Sequence, residues 1–259
     1  MLRKRIIFTL IYENGFFNQS RNFRLQKVGN INWLERNYKF KDIAFSLDEL
    51  IVLNASKNEK NIIKFAQILN QLVDDVFIPI AAGGGIRNIE DAKLLFNNGA
   101  DKIVINTILH TDKELVKKLV KQYGSQSIVA SVDYRLNNSS YEVYINNGME
   151  KLDITLFDYL VQIEKLKVGE IYLNSIDNDG TGFGYDFDTI NKVVDSIKVP
   201  LIIAGGAGNE EHLSKGLSMD NVNAVATANL FNFVGDGLPK ARGKLLEKNI
   251  NISSWFYDN

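Results

Sequence analysis

The 259-residue sequence contains no cysteine and only two histidines, His110 and His212. Without cysteine there is no disulfide framework, no thiolate metal site and no cysteine nucleophile, and two histidines nearly exclude a multi-histidine metal centre. Net charge is almost absent as well, since 30 Lys+Arg against 31 Asp+Glu leave a formal charge of −1. That balance gives no general attraction to nucleic acid or to an anionic membrane, so any phosphate site must be local. Long apolar runs are missing too. The basic start MLRKRIIFTLIYENG is interrupted by Glu13 and Asn14 before its apolar stretch reaches the length of a signal peptide or a membrane span. The expectation is a soluble, cytoplasmic chain that engages neither nucleic acid nor membrane and uses no metal or other cofactor.

What is present is 45% hydrophobic and 24% charged content, enough for a large core. Short Ile- and Val-rich runs recur along the chain, each followed by a segment of helical period, which is the pattern of a parallel sheet built from βα units. Eight strands are expected at 5–11, 49–54, 78–82, 102–106, 127–133, 169–174, 199–204 and 222–227. Helices are expected at 58–73, 88–98, 111–123, 154–166, 186–197, 209–218 and 236–247, with apolar spacing such as Ile63, Ala66, Leu69, Leu72. Eight such units without a Pro/Gly/Ser-rich linker fit one (β/α)8 barrel over residues 1–259, and an open doubly wound sheet is the weaker alternative. Two connections are long. Residues 12–32 show no clear period and are read as a mobile lid, and residues 134–152, with Asn-Asn turns around YEVYI, are read as an inserted β-hairpin. Both follow a strand and therefore belong to the C-terminal face, where barrel active sites form.

An internal repeat organises the chain. IPIAAGGGIRNIEDAKLLFNNGADKIVINT (78–107) resembles VPLIIAGGAGNEEHLSKGLSMDNVNAVATAN (199–229), and LIVLN (50–54) matches EIYLN (170–174) at nearly the same offset, as in two fused half-barrels. Within the repeat, GGGIRN (83–88) and GGAGN (205–209) each leave a strand and enter a helix. Backbone N–H groups in such a turn suit a phosphate, and Asn106-Thr107 or Asn229 at the end of the next strand can add donors. Two equivalent cradles imply a ligand with a phosphate at each end.

The segments KRII (4–7), DEL (48–50), GGGI (83–86), GADK (99–102), INT (105–107), GEI (169–171), SIDNDGTGFGYD (175–186) and GGAG (205–208) resemble the cyclase subunit of imidazole glycerol phosphate synthase, from Met1 to about Trp255. The resemblance implies a (β/α)8 barrel fed with ammonia by a glutaminase partner in a heterodimer, with a phosphorylated small molecule as ligand. It places bisphosphate anchors at Gly85, Asn106 and Thr107 on one side and at Asp179, Gly180, Gly206 and Asn229 on the other. It also implies two aspartates for acid–base work at the ends of strands one and five. Asp133 fits the second, while the first falls on Ile11, which cannot carry a proton. Further departures are Asn54 for the strand-two aspartate, Gln19 for a first-loop lysine and Asn174 for the sixth-strand threonine.

At the opposite face, Arg5, Glu49, Lys102 and Glu170 stand at strand starts that form the charged ammonia gate in the family, and Asp101 is a further expected partner contact. A complete gate beside damaged cyclase chemistry points to a divergent branch similar to the glycosyl-amidation proteins of bacterial surface polysaccharide clusters. There the barrel and its glutaminase would serve an ATP-dependent sugar amidotransferase. Two alternatives remain: an authentic cyclase of histidine biosynthesis, and a noncatalytic scaffold or activator of the glutaminase.

Overall fold

A computed structural model describes residues 3–38, 46–57, 61–74, 76–229 and 237–254. In chain order the strands are β1 (Arg5–Glu13), β2 (Phe16–Arg21), β3 (Arg24–Gly29), β4 (Glu49–Asn54), β5 (Ile80–Gly83), β6 (Lys102–Ile105), β7 (Ile128–Asn137), β8 (Ser140–Ile145), β9 (Glu150–Thr155), β10 (Glu170–Ser175), β11 (Leu201–Ala204) and β12 (Val222–Thr227). The described α-helices are α1 (Ile31–Tyr38), α2 (Ile62–Val73), α3 (Ile89–Asn97), α4 (Ile108–Thr111), α5 (Lys113–Tyr123), α6 (Leu156–Glu164), α7 (Phe187–Val194), α8 (Glu210–Leu217) and α9 (Gly237–Glu247). Parallel pairing runs β1-β4-β5-β6-β7-β10-β11-β12 and returns from β12 to β1, so the eight anticipated strands close into a (β/α)8 barrel.

Both faces of these strands are buried, which is why they read as nearly unbroken apolar runs instead of alternating ones. One face, with Ile6, Phe8, Leu50, Val52, Ile103 and Ile171, packs under helix residues such as Leu69, Leu95, Leu119 and Leu160. The other face fills the barrel with Ile7, Ile51, Ala81, Val104, Val129, Tyr172, Ile202 and Ala224. Short polar caps start the helices: Asn61, Asn88, Asp112, Thr155, Asp186 and Asn209 each accept a backbone N–H three residues on. A cap of this kind is worth about 0.5–2 kcal/mol. Asp112 explains why the helix expected at 111–123 begins at Lys113, and β9 takes Ile154 and Thr155 from the helix expected at 154–166. The expected helix residues 58–60 and 236, and the ends of the resemblance at Met1 and Trp255, lie outside the described residues.

The first insertion differs from its sequence reading, whereas the second contains the expected hairpin and adds a third strand to it. Residues 12–32 are not devoid of regular structure. β1 runs on to Glu13, turns at Asn14-Gly15 with φ of 49° and 92°, and pairs antiparallel with β2, which in turn pairs with β3. In the other half β7 runs on to Asn137, turns at Asn138-Ser139 with φ of 46° and 65°, and pairs with β8, which pairs with β9. Two-residue turns with both φ values positive match the twist of a hairpin. The first strand of each half-barrel therefore extends into a three-stranded antiparallel flap, and the repeat includes the insertions.

Candidate functional site

The flaps and the strand ends enclose a cavity of about 480 Å³ at the C-terminal mouth, within the usual range for a small-molecule site. It is lined by Ile11, Gln19, Asn54, Gly85, Asn106, Thr107, Asp133, Asn174, Asp179, Gly180, Gly206 and Asn229. Every mouth residue singled out in the sequence is thus brought to one place. The glycine turns are built alike. Gly84 and Gly205 have φ of +95° and +87°, and a Cβ at either would lie 2.2 Å from the Asn54 carbonyl oxygen or 2.5 Å from that of Ser175. Each turn therefore presses against the preceding strand of its own half, and only glycine combines that conformation with that approach.

Asp133 is 7% exposed and receives Asn106 Nδ2 at 3.2 Å on Oδ2 and Asn174 Nδ2 at 3.4 Å on Oδ1. Asn106 also donates to the Ser131 carbonyl at 3.0 Å. In this arrangement the Asn106 side chain, expected at a phosphate, orients the carboxylate, while Thr107 opens α4 beside it. Across the cavity Ile11 occupies the equivalent end of β1, where Ile11 pairs with Asn18 of the flap as Asp133 pairs with Tyr144. One side of the mouth thus offers an acid–base group and the other offers none. Asn54, 2% exposed, accepts the Ser56 N–H on its Oδ1, while its Nδ2 has no hydrogen-bond partner among the described residues.

Asp179 serves the first flap. Its carboxylate accepts Ser20 Oγ–H at 2.5 Å and the Phe23 N–H at 3.0 Å, and its carbonyl accepts the Asn22 N–H at 2.9 Å. Gly180 lies so close to this flap that a Cβ would sit 1.9 Å from the Ser20 carbonyl oxygen. Burial pushes the Asp179 carboxyl above its ordinary value, and the bonds from Ser20 and Phe23 pull the other way. Asn229 closes the second cradle, with its N–H on Thr227 Oγ1 at 3.3 Å.

At the N-terminal rim the four residues expected to form a gate make one closed ring of ion pairs. Arg5 bonds Glu49 at 2.5 Å and also Glu170, while Lys102 bonds Glu49 at 3.0 Å and Glu170 at 2.7 Å. Charges alternate around the barrel axis. Glu49 is only 2% exposed, and burial raises its carboxyl against the opposing pull of Arg5 and Lys102. Asp101 stands exposed beside this ring and accepts the Ile80 N–H at 2.8 Å. Sequence reasoning missed Thr9 and Tyr172, whose hydroxyls meet at the cavity floor, and Asn146 and Asn147, which the second flap brings into the lining. The inward period of EIYLN was the available signal for Tyr172.

Among the described residues no three His, Cys, Asp or Glu side chains gather as a metal site, and no helix is long and apolar enough to cross a membrane. Comparison with known proteins agrees with this architecture. Residues 26–235 match the family described as "Histidine biosynthesis protein". A Parasynechococcus marenigrum protein, provisionally named imidazole glycerol phosphate synthase subunit hisF2, is 43% identical over 256 residues, covering 98% of this chain and 95% of the relative. The imidazole glycerol phosphate synthase subunit HisF of Dictyoglomus turgidum is 35% identical over 96% of this chain and 98% of its own length. That of Pyrobaculum aerophilum is 36% identical over 79% of this chain and 81% of its own length. With the closed eightfold barrel, the duplicated glycine turns and these relatives together, the chain belongs to the HisF family of histidine-biosynthesis proteins.

Proposed function

We propose that this chain is a divergent HisF-like synthase subunit of a cytoplasmic glutamine amidotransferase. It takes ammonia from a glutaminase bound at the N-terminal rim and passes it along the barrel axis to the mouth cavity. The observation that carries this reading is the contrast along the axis: an unbroken ring of Arg5, Glu49, Lys102 and Glu170 below, and Ile11 facing Asp133 above. The glutaminase seats on the rim against Asp101 and the ring. In the cavity, Gly85, Thr107 and the backbone at Asn106 hold one phosphate, Gly180, Gly206 and Asn229 hold the other, and Asp133, oriented by the Asn106 side chain, supplies the acid–base group. The Asp179 carboxylate, already engaged by Ser20 and Phe23, holds the flap over the second cradle.

Isoleucine in place of an acid–base residue argues against the histidine-pathway cyclisation and for a different ammonia acceptor. The resemblance to glycosyl-amidation proteins makes that acceptor a bacterial surface sugar, activated by a separate ATP-dependent amidotransferase. The second reading, a histidine-pathway cyclase, is favoured by the names of the relatives and by the presence of Asp133. Complementation of a cyclase-deficient histidine auxotroph decides between them: the expected result is no growth without histidine, and growth overturns the proposal. A scaffold that passes no ammonia is separated from both by glutamine-dependent labelling of product with amide-15N, which a pure activator does not support.

A further inference from the structure

Thr9 of β1 and Tyr172 of β10 meet inside the barrel. Tyr172 is the next inward residue above Glu170, and Thr9 stands two inward positions above Arg5. The phenol crosses from β10 to β1, past the two intervening strands β11 and β12, and its Oη lies 3.3 Å from Thr9 Oγ1. Both residues are buried, at 4% and 2% exposure, and both line the mouth cavity. Together they form its floor. Between them and the charged ring the interior is apolar, with Ile7, Ile51, Ala81, Val129, Ile202 and Ala224. These side chains offer no hydrogen-bonding group to a small molecule rising from the ring; polar side chains begin at this pair and the neighbouring Ser131.

We propose that Thr9 and Tyr172 form a receiving site and inner gate for neutral ammonia at the cavity floor. The ammonia nitrogen accepts the Tyr172 O–H and donates to Thr9 Oγ1, replacing the bond between the two hydroxyls and letting the ring move off the axis. The contact it replaces is weak, because 3.3 Å is well beyond the roughly 2.7–2.8 Å of a typical O–H···O bond. Left unpaired, two buried hydroxyls would each carry an uncompensated desolvation cost, so they stay together when the site is empty and part only for a molecule that satisfies both. Burial, with the nearby Asp133 and Asp179 carboxylates adding to it, pushes the Tyr172 phenol well above its ordinary value. The hydroxyl thus remains a donor under conditions where ammonia is unprotonated, and holds ammonia without protonating it. Below the pair, the apolar layer disfavours ammonium and other ions, since an unpaired charge there is far costlier than a neutral solute.

The purpose of this site rests on the ammonia-transfer reading; its existence does not, because the floor is open to the mouth of the isolated barrel. The test is a titration of the full chain, with tyrosine labelled by 13C at Cζ, with ammonia in mildly alkaline buffer. The Tyr172 resonance is identified by its loss in Tyr172→Phe, and sodium chloride at equal ionic strength serves as control. Ammonia is expected to displace that resonance saturably, Thr9→Val to weaken the effect severalfold, and Thr9→Ser to retain it. A resonance that ammonia leaves in place, or that moves equally in Thr9→Val or with the bulkier trimethylamine, overturns the proposal. Pairing with the glutaminase of the same organism is read separately by co-elution. A barrel that responds at Tyr172 but binds no glutaminase supports the floor site and overturns the transfer reading; binding with an unmoved Tyr172 signal does the reverse.

Discussion

The two ends of the barrel solve the same problem differently. At the N-terminal rim two cations and two carboxylates neutralise one another, so the ring is complete without any ligand. At the C-terminal mouth, Asp133 is held by the carboxamides Asn106 and Asn174, and its counterpart Ile11 brings no charge. The ring depends on all four members, because removing one leaves a partly buried opposite charge with less compensation for its desolvation. The strand pairing of the flaps and the close backbone approach of the glycine turns do not depend on a carboxylate at position 11. Structure persists there while chemistry changes.

The largest expected effect tests the chemical half of this contrast. Supplied with ammonium and the histidine-pathway intermediate, the barrel should turn over about 10²–10⁴-fold below a barrel with both acid–base groups, the usual cost of losing one. Steady-state product formation measures this, and a rate equal to that of ordinary family members breaks the comparison. Ile11→Asp sharpens it, since any recovery would show that the remaining mouth still positions the intermediate.

Next in size is the ring. Arg5→Ala should lower stability by about 2–3 kcal/mol in urea unfolding, less than the roughly 3–5 of a fully buried pair, because Lys102 remains on Glu49 and Arg5 is 22% exposed. Lys102→Ala should cost less stability and yet reduce partner-stimulated glutaminase activity or uncouple glutamine hydrolysis from product. If Lys102→Ala and Glu170→Ala leave both binding and coupling unchanged, these charges are ordinary rim residues.

A smaller effect concerns the flap dock. The Asp179 carboxyl is raised in the folded state by burial, so its contribution to stability is fully present at low pH and is lost as pH rises through its folded value. Urea midpoints measured across the acid range should therefore show wild type losing ground to Asp179→Asn as pH rises from below the ordinary aspartate range towards neutrality. The opposite slope would mean that the bonds from Ser20 and Phe23 outweigh desolvation.

Smallest is the difference between the two cradles. Phosphate should occupy the turn at Gly85, Asn106 and Thr107 more readily than the one at Gly180, Gly206 and Asn229, if the Asn229 side chain, which lines the cavity, competes for the anion's space. Crystals grown with graded phosphate should fill the first site at lower concentration, and Asn229→Ser should narrow the gap. Equal filling in the wild type would remove this asymmetry.

Much of this molecule is written locally in its sequence. Strand positions follow from runs buried on both faces, helix starts from Asn, Asp and Thr caps, and the paired turns from glycines that alone accept their backbone geometry. The ring was legible because each member begins a strand, and parallel strands in register bring their starts to one rim. The flap of residues 12–32 was not legible, because β2 and β3 hold few apolar residues in alternation; β2 becomes a strand by pairing with the continuation of β1, and β3 by pairing with β2. The Asp179 dock joins residues 159 positions apart, and the Thr9–Tyr172 contact spans 163.

The sequence by itself determined the barrel, its duplication and which residue types stand at each strand end, since these depend on periodicity and on conformations that single residues permit. Only the tertiary structure decided which side chains touch across the axis: the closed order of the ring, the engagement of Asp179 by the flap, and the hydroxyl pair at the cavity floor. Barrel closure sets those contacts, because it brings strands distant in the chain to fixed positions around one axis, and no local preference specifies which side chain will then reach which.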